Sequence, residues 1–236
     1  MPPWPAAVLF DFDGVIVNSE PLHLRAFQQV LAAEHIALTE EQYYSELVGF
    51  DDRGAFKRAF ELHARVLDPK TFLRVMTRKS EAMRELIHRR AYAPLPGVEE
   101  FVRGLWRDRP LGICSGALRE EIELMLEGIA LRDCFNVIVA AEDVTRGKPD
   151  PQGYLLTARM LSEKMKRALK PADCLVVEDA PTVIRSVRSA GFKVLGVATT
   201  YFIDKLGDAD YATQTLRPKD VTEALPQLKP MFDGSS

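Results

Sequence analysis

Residues 8–17 read Val8-Leu9-Phe10-Asp11-Phe12-Asp13-Gly14-Val15-Ile16-Val17. An apolar run with no alternation suits a parallel strand buried on both faces. A strand of that kind holds no unpaired carboxylate cheaply, because a lone charge in a dry interior costs several kcal/mol or more. Asp11 is therefore expected at the carboxyl end of the strand, where open α/β sheets form their ligand crevice. Asp13 follows two residues later and points the same way in an extended segment. Gly14 then allows a sharp turn. Two carboxylates at one sheet edge are close enough to share a cation or a proton.

Downstream, the chain changes character twice. Residues 18–93 show helical spacing and no convincing strand. Leu22, Phe27, Val30 and Leu31 share one face. Thr39 with Gln42 reads as a capping box, Asp51 or Asp52 as a cap before Phe56 and Phe60, and Asp68-Pro69 as the start of a helix running to about residue 90. These patterns predict a helical unit inserted after the first strand. Pro94-Leu95-Pro96-Gly97 marks the return. Helices at 98–107, 120–127, 151–163 and 182–190 then alternate with strands at 111–114, 137–140, 174–177 and 193–197, with Gly191 as a C-terminal cap. A last strand near Tyr211 and a helix from Pro218 complete the pattern, and the tail from Asp233 to Ser236 is expected to fray. The fold class is α/β: a doubly wound, mostly parallel, Rossmann-like sheet built from residues 1–17 and 94–236, with an α-helical cap domain over 18–93.

Composition narrows the function. With 47% apolar and 28% charged residues, the 236-residue chain can build a core. A net charge of −3 and the lack of a basic block exclude a nucleic-acid footprint. No apolar run reaches the roughly 18 residues of a membrane span, and the first residues carry no signal-like pattern. Cys114, Cys134 and Cys174 lie far apart and read as core thiols of a reducing compartment. A cytoplasmic protein is expected, and a monomer, since no heptad run is present.

Strand ends carry the chemistry. The second strand ends in Cys114-Ser115-Gly116, the fourth in Val177-Glu178-Asp179, and Gly147-Lys148-Pro149-Asp150-Pro151 opens a helix between them. In a parallel sheet these ends converge, gathering Asp11, Asp13, Glu178, Asp179, Ser115 and Lys148. Four carboxylates together need a cation. Ligands without sulfur or imidazole point to Mg²⁺, completed by water and substrate phosphate. Alone, Ser115 reads as a turn former, Lys148 as a solvated surface residue and Glu178-Asp179 as a helix cap; their joint placement favours a site.

The ordered set Asp11-x-Asp13-Gly14, Ser115, Lys148, Glu178-Asp179 resembles the four motifs of the haloacid dehalogenase superfamily. The insert after the first motif, with Asp13-Gly14-Val15-Ile16-Val17-Asn18-Ser19-Glu20-Pro21-Leu22-His23, is similar to the branch that holds β-phosphoglucomutase and phosphoglycolate phosphatase. The resemblance implies a Mg²⁺-dependent phosphatase acting on a small phosphorylated metabolite, a sugar phosphate or similar, through an aspartyl-phosphate. Asp11 is then the nucleophile, Asp13 the acid and base, and Ser115 and Lys148 the holders of the phosphoryl group. Asp11, Glu178, Asp179 and the Asp13 carbonyl form the metal set. It further implies that His23, Gly49, Arg53 and Lys79 of the cap, with Gly116, meet the substrate. Asn18 replaces a usual Asp, the mutase's loop arginine falls on Asp52, and Gly116-Ala117-Leu118-Arg119 replaces a hydroxyl-rich, basic loop. The last two departures weigh against recognition of a second, distal phosphate; a phosphoglucomutase-like transferase is the runner-up reading. A receiver-type signalling module is a third reading, with its phosphorylated Asp in a different motif order and no insert.

Overall fold

The computed structural model describes residues 4–48, 50 and 52–233. Contacts divide the chain into two compact units. The first joins the residues up to Asn18 to those from Ala93 onward, and the second runs Ser19–Tyr92.

Among the described residues, the first unit holds one six-stranded sheet, in the order β3-β2-β1-β4-β5-β6 and parallel throughout. The strands are β1 Ala7–Phe10, β2 Leu111–Cys114, β3 Val137–Val139, β4 Cys174–Glu178, β5 Lys193–Val197 and β6 Tyr211–Thr213. Every residue of β1 is fully buried, as a central strand covered on both faces requires. Alternate residues serve opposite layers. Ala7 and Leu9 belong to a core with Tyr154, Leu161, Val176, Ile184 and Val194. Phe10 points the other way and meets Phe101 and Phe135 edge-on, with centroids 5.9 and 5.7 Å apart. The chain runs outward from β1 to β2 and β3, then crosses to β4 on the other side. The strand order therefore reverses beside β1, which opens a crevice at its carboxyl end.

The second unit contains helices α1 Glu20–Ala33, α2 Glu40–Gln42, α3 Asp52–Leu62 and α4 Pro69–His88. Phe27, Val30, Leu31, Phe56, Phe60 and Val75 form its core, with Phe27 and Phe56 edge-to-face at 4.9 Å. Asp68 caps α4 by accepting from the Lys70 and Thr71 amides at 2.9 and 3.0 Å. The Thr39–Gln42 capping box forms reciprocally, but the helix it opens lasts only three residues. A π turn, Tyr43–Leu47, replaces it. The wider turn lets both Tyr43 and Leu47 reach the core, while the Tyr43 hydroxyl donates to Glu20 at 2.6 Å. Asp52 lies inside α3 and not before it. Asp51 and Gly49, both singled out in the sequence, lie outside the described residues, as do Gly234, Ser235 and Ser236 of the tail.

Back in the first unit, the helices are α5 Val98–Trp106, α6 Arg119–Gly128, α7 Gln152–Lys164, α8 Pro181–Ser189 and α9 Pro218–Ala224. Gly191 follows α8 with φ +96°, the left-handed cap its position suggested. Cys114, Cys134 and Cys174 are all free and buried. No described helix is long and apolar enough to cross a membrane.

The return into this unit depends on Gly97. Its φ is +84°, and a Cβ there would lie 2.1 Å from the Arg217 backbone nitrogen and 2.4 Å from the Leu216 carbonyl carbon. Backbone cannot move aside as a flexible side-chain tip can. Gly97→Ala is expected to cost about 2 kcal/mol. That corresponds to a melting temperature about 4–8 °C lower for a chain of this size, read by calorimetry or circular dichroism.

Candidate active site

Three strand ends and one loop build the site within the first unit. Asp11 directly follows β1, and its amide donates to the Val177 carbonyl of β4 at 2.9 Å. Ser115 directly follows β2, its amide bonded to the Val139 carbonyl at 3.0 Å. Glu178 ends β4, and Asp179 is next in the chain. Parallel registers Phe10↔Ile113 and Phe10↔Val177 bring these ends level. One carboxylate oxygen from each of Asp11, Glu178 and Asp179 lies within 4.8 Å of the others, and all three residues are buried.

Lys148 enters this acidic group from the loop before α7. Its Nζ lies 2.6 Å from Asp11 Oδ1 and 2.8 Å from Glu178 Oε1. Tyr154, on the first turns of α7, completes the contact. Its hydroxyl is 3.2 Å from Lys148 Nζ and 3.3 Å from Glu178 Oε1, with the ammonium 5.0 Å from the ring centroid. The other Glu178 oxygen, Oε2, accepts from the Asp179 and Ala180 amides, each at 2.8 Å. Glu178 thus receives four hydrogen bonds, the full capacity of a carboxylate.

Charge is unbalanced here. Burial raises the Asp11 pKa well above the carboxylate range; Lys148 opposes this, while Glu178, Asp179 and Asp13 add to it. Burial and the Glu178 charge push Asp179 up to about 7, against a hydrogen bond from Thr200. Burial works against the Lys148 ammonium, yet Asp11 and Glu178 outweigh it and hold its pKa above the ordinary value. Burial pushes the nearby Cys114 thiol up to about 12, and the grouped donors are carboxylates alone. What remains is a crowded set of oxygen donors with negative charge in excess. A hard divalent cation fits that set.

Ser115 does two things. Its Oγ accepts the Ala117 amide at 3.0 Å, closing the Ser-Gly turn, and donates to Asp13 Oδ2 at 3.3 Å. Gly116 at the tip of the turn is exposed, with nothing within 4 Å of where a Cβ would stand. Gly14 is the tightest point. It has φ +78°, and a Cβ there would fall 2.2 Å from Asp179 Oδ2 and 2.9 Å from Thr200 Oγ1. The Thr199 hydroxyl donates to the Gly14 carbonyl. Tyr154, Thr199 and Thr200 were missed in the sequence. The signals were there: Tyr154 sits on the helix that the Lys148 loop opens, and the threonines follow the end of β5.

The remaining candidates lie in the helical unit. His23 is on α1 and Lys79 on α4. Lys79 is 2% exposed, and its Nζ lies 2.8 Å from Asp52 Oδ2, 3.0 Å from His23 Nδ1 and 5.5 Å from the Phe27 ring centroid. An ammonium has only donors, so His23 Nδ1 accepts and the ring proton sits on Nε2. Burial and the Lys79 charge hold the His23 pKa down to about 3, which leaves the imidazole neutral. Arg53 is exposed on α3.

The description "haloacid dehalogenase-like hydrolase" belongs to the family model that matches residues 8–197. A fructose-1-phosphate phosphatase of Escherichia coli (YqaB) is 32% identical over 193 residues, 81% of this chain and 96% of its own length. The validoxylamine A 7′-phosphate phosphatase of Streptomyces hygroscopicus is 30% identical over 226 residues, covering 91% and 93%. Among solved structures, CbbY of Rhodobacter sphaeroides in complex with phosphate superposes with a TM-score of 0.79 at 23% identity, over 95% of this chain and 99% of that one. A β-phosphoglucomutase of Clostridium difficile gives 0.77 at 21%, over 95% and 97%; at such identities these two speak for the fold alone. The chain belongs to the haloacid dehalogenase-like hydrolases.

Proposed function

We propose that this hydrolase removes phosphate from a small phosphorylated metabolite, a sugar phosphate or close analogue, by way of an aspartyl-phosphate on Asp11. The observation that carries the reading is the Lys148 ammonium, 2.6 Å from Asp11 Oδ1 at the end of β1, among acids that exceed it in charge. The Asp11 carboxylate attacks phosphorus, forming the new P–O bond as the ester P–O bond breaks. Asp13 donates its proton to the departing oxygen. It then takes a proton from the water that hydrolyses the aspartyl-phosphate, and Asp11 is restored. Ser115 and Lys148 hold the non-bridging oxygens through both halves, with Gly116 leaving room beside them. Asp11, Asp179 and the Asp13 carbonyl would hold Mg²⁺, with Glu178 behind them fixing Lys148 and the Asp179 turn. Bound there, the metal supplies the positive charge that lets a carboxylate meet an anionic ester.

The helical unit is read as the part that selects the leaving group. His23 offers one fixed N–H donor, which suits a hydroxyl or ether oxygen, and Arg53 and Gly49 belong to the same proposed set. Lys79 is already committed to Asp52 at 2.8 Å. A second phosphate therefore gains little from it, and this favours hydrolysis of monophosphates over a bisphosphate-dependent mutase. The relatives named for fructose 1-phosphate and validoxylamine A 7′-phosphate support a polyhydroxylated leaving group. Incubation with β-glucose 1-phosphate separates the readings: free phosphate is expected, and accumulation of glucose 6-phosphate would favour the transferase.

Asp11→Asn is expected to lower phosphate release from a panel of sugar phosphates at least about 10³-fold. Its melting temperature should stay level or rise, because one member of a crowded buried acid set has become neutral. Turnover near that of the unmodified protein would remove Asp11 from the role of nucleophile.

A raised carboxylate pKa has a defined sign in stability. With Asp179 near 7 in the folded protein and 3.8 as its reference value, the folded state binds more protons across that window. Metal-free protein therefore loses stability as pH rises from about 4 through 7. Thermal melts with EDTA should fall between pH 5.5 and 8. Mg²⁺ should raise the melting temperature more at pH 8 than at pH 5.5. Equal Mg²⁺ gains at both values would count against Asp179 as a ligand.

A further inference from the structure

We infer that the Tyr154 hydroxyl is a positioning group for the phosphoryl-transfer site: it keeps Glu178 turned onto Lys148, so that one ammonium N–H is left for the oxygen of the incoming phosphoryl group. This rests on the phosphatase reading above and adds a residue to it.

Lys148 Nζ, Glu178 Oε1 and Tyr154 Oη form a triangle with sides of 2.8, 3.2 and 3.3 Å. In so nearly equilateral a triangle, the two oxygens subtend far less than a tetrahedral angle at the nitrogen. They cannot each take a separate straight N–H. One N–H of Lys148 points into the triangle and a second at Asp11 Oδ1, 2.6 Å away. The third is left for an oxygen from outside. Lys148 keeps 19% of its side chain exposed, whereas Glu178 and Tyr154 are sealed at 0%. That third N–H is the one not used by Asp11, Glu178 or Tyr154.

Among the described residues, the phenol's own proton has one acceptor in reach, Glu178 Oε1. Donating it fills the fourth of the carboxylate's hydrogen-bonding positions, the others being taken by Lys148 and the Asp179 and Ala180 amides. Without the hydroxyl, Oε1 has an empty position in a dry pocket. Glu178 then loses the contact that fixes its Oε1 side, and the ammonium bonded to it no longer holds its third N–H in one direction.

The test is a double-mutant cycle of Tyr154→Phe and Lys148→Ala, with p-nitrophenyl phosphate as substrate and inorganic phosphate as ligand, both with Mg²⁺. Phenylalanine keeps the ring and removes one oxygen. In Tyr154→Phe, kcat/KM should fall about tenfold and the phosphate Kd measured by calorimetry should rise about tenfold, the size of one lost charge-assisted hydrogen bond. On the Lys148→Ala background the same change should alter the phosphate Kd less than about twofold, because the hydroxyl acts through the ammonium. Unchanged values in Tyr154→Phe, or equal losses on both backgrounds, would overturn the inference. So would a Tyr154→Phe variant that does not fold, since the phenol would then serve the core. An unmodified protein that neither cleaves p-nitrophenyl phosphate nor binds phosphate would overturn the phosphatase reading, and this inference with it.

Discussion

The contact on which the catalytic unit turns is that of Lys148 with Asp11 and Glu178. Three buried carboxylates meet one ammonium. In a low-dielectric interior such a group is tolerated only when its hydrogen bonds are nearly complete and its charge excess has somewhere to go. The sheet meets the first demand. Parallel registration brings β1 and β4 to end at one level, and the backbone turn after β4 gives Glu178 two amides. The second demand is not met from within the cluster, and a hard divalent cation fits the excess of oxygen donors.

The same accounting divides work among the acids. Glu178 carries four hydrogen bonds and no exposed surface, so it is built as a fixture. Asp179 lies against Gly14, where no side chain could fit, and takes a hydrogen bond from Thr200. Burial raises the Asp11 pKa, and Lys148 at 2.6 Å opposes that shift. The Phe12 amide donates to the same oxygen, Oδ1, at 2.6 Å, so Asp11 is held in place from two sides at the end of β1.

Much of this was legible in the chain. An apolar run stopped by Asp11 reads as a strand ending at a crevice once the downstream acids are counted with it, and the strand-then-acid pattern recurs at Glu178. What could not be read were partners set by tertiary contact. Tyr154 looks like one more core aromatic on α7, and only the approach of β4 shows that its hydroxyl reaches Glu178. Thr199 and Thr200 have no local pattern, because their acceptors are set by tertiary contact: the Gly14 carbonyl for Thr199 and the Asp179 carboxylate for Thr200. Asp52 reads as a helix cap, and its pairing with Lys79 depends on α4 folding back on α3. The short α2 failed for a related reason: the capping box fixes where a helix begins, while burial of Tyr43 and Leu47 decides how it continues.

Lys79 and Lys148 make a useful contrast. Each is a largely buried lysine with an acid at hydrogen-bonding distance, and each lies near an aromatic ring. Around Lys79 the arrangement is closed. Asp52 and His23 take two of its three donors, the Phe27 ring lies 5.5 Å away, and its charge helps burial hold a histidine neutral. Around Lys148 it is open, with acids in excess and an edge that reaches solvent. Burial alone therefore does not separate the two lysines. What separates them is the charge around each: one acid and a neutral imidazole at Lys79, against three clustered acids at Lys148.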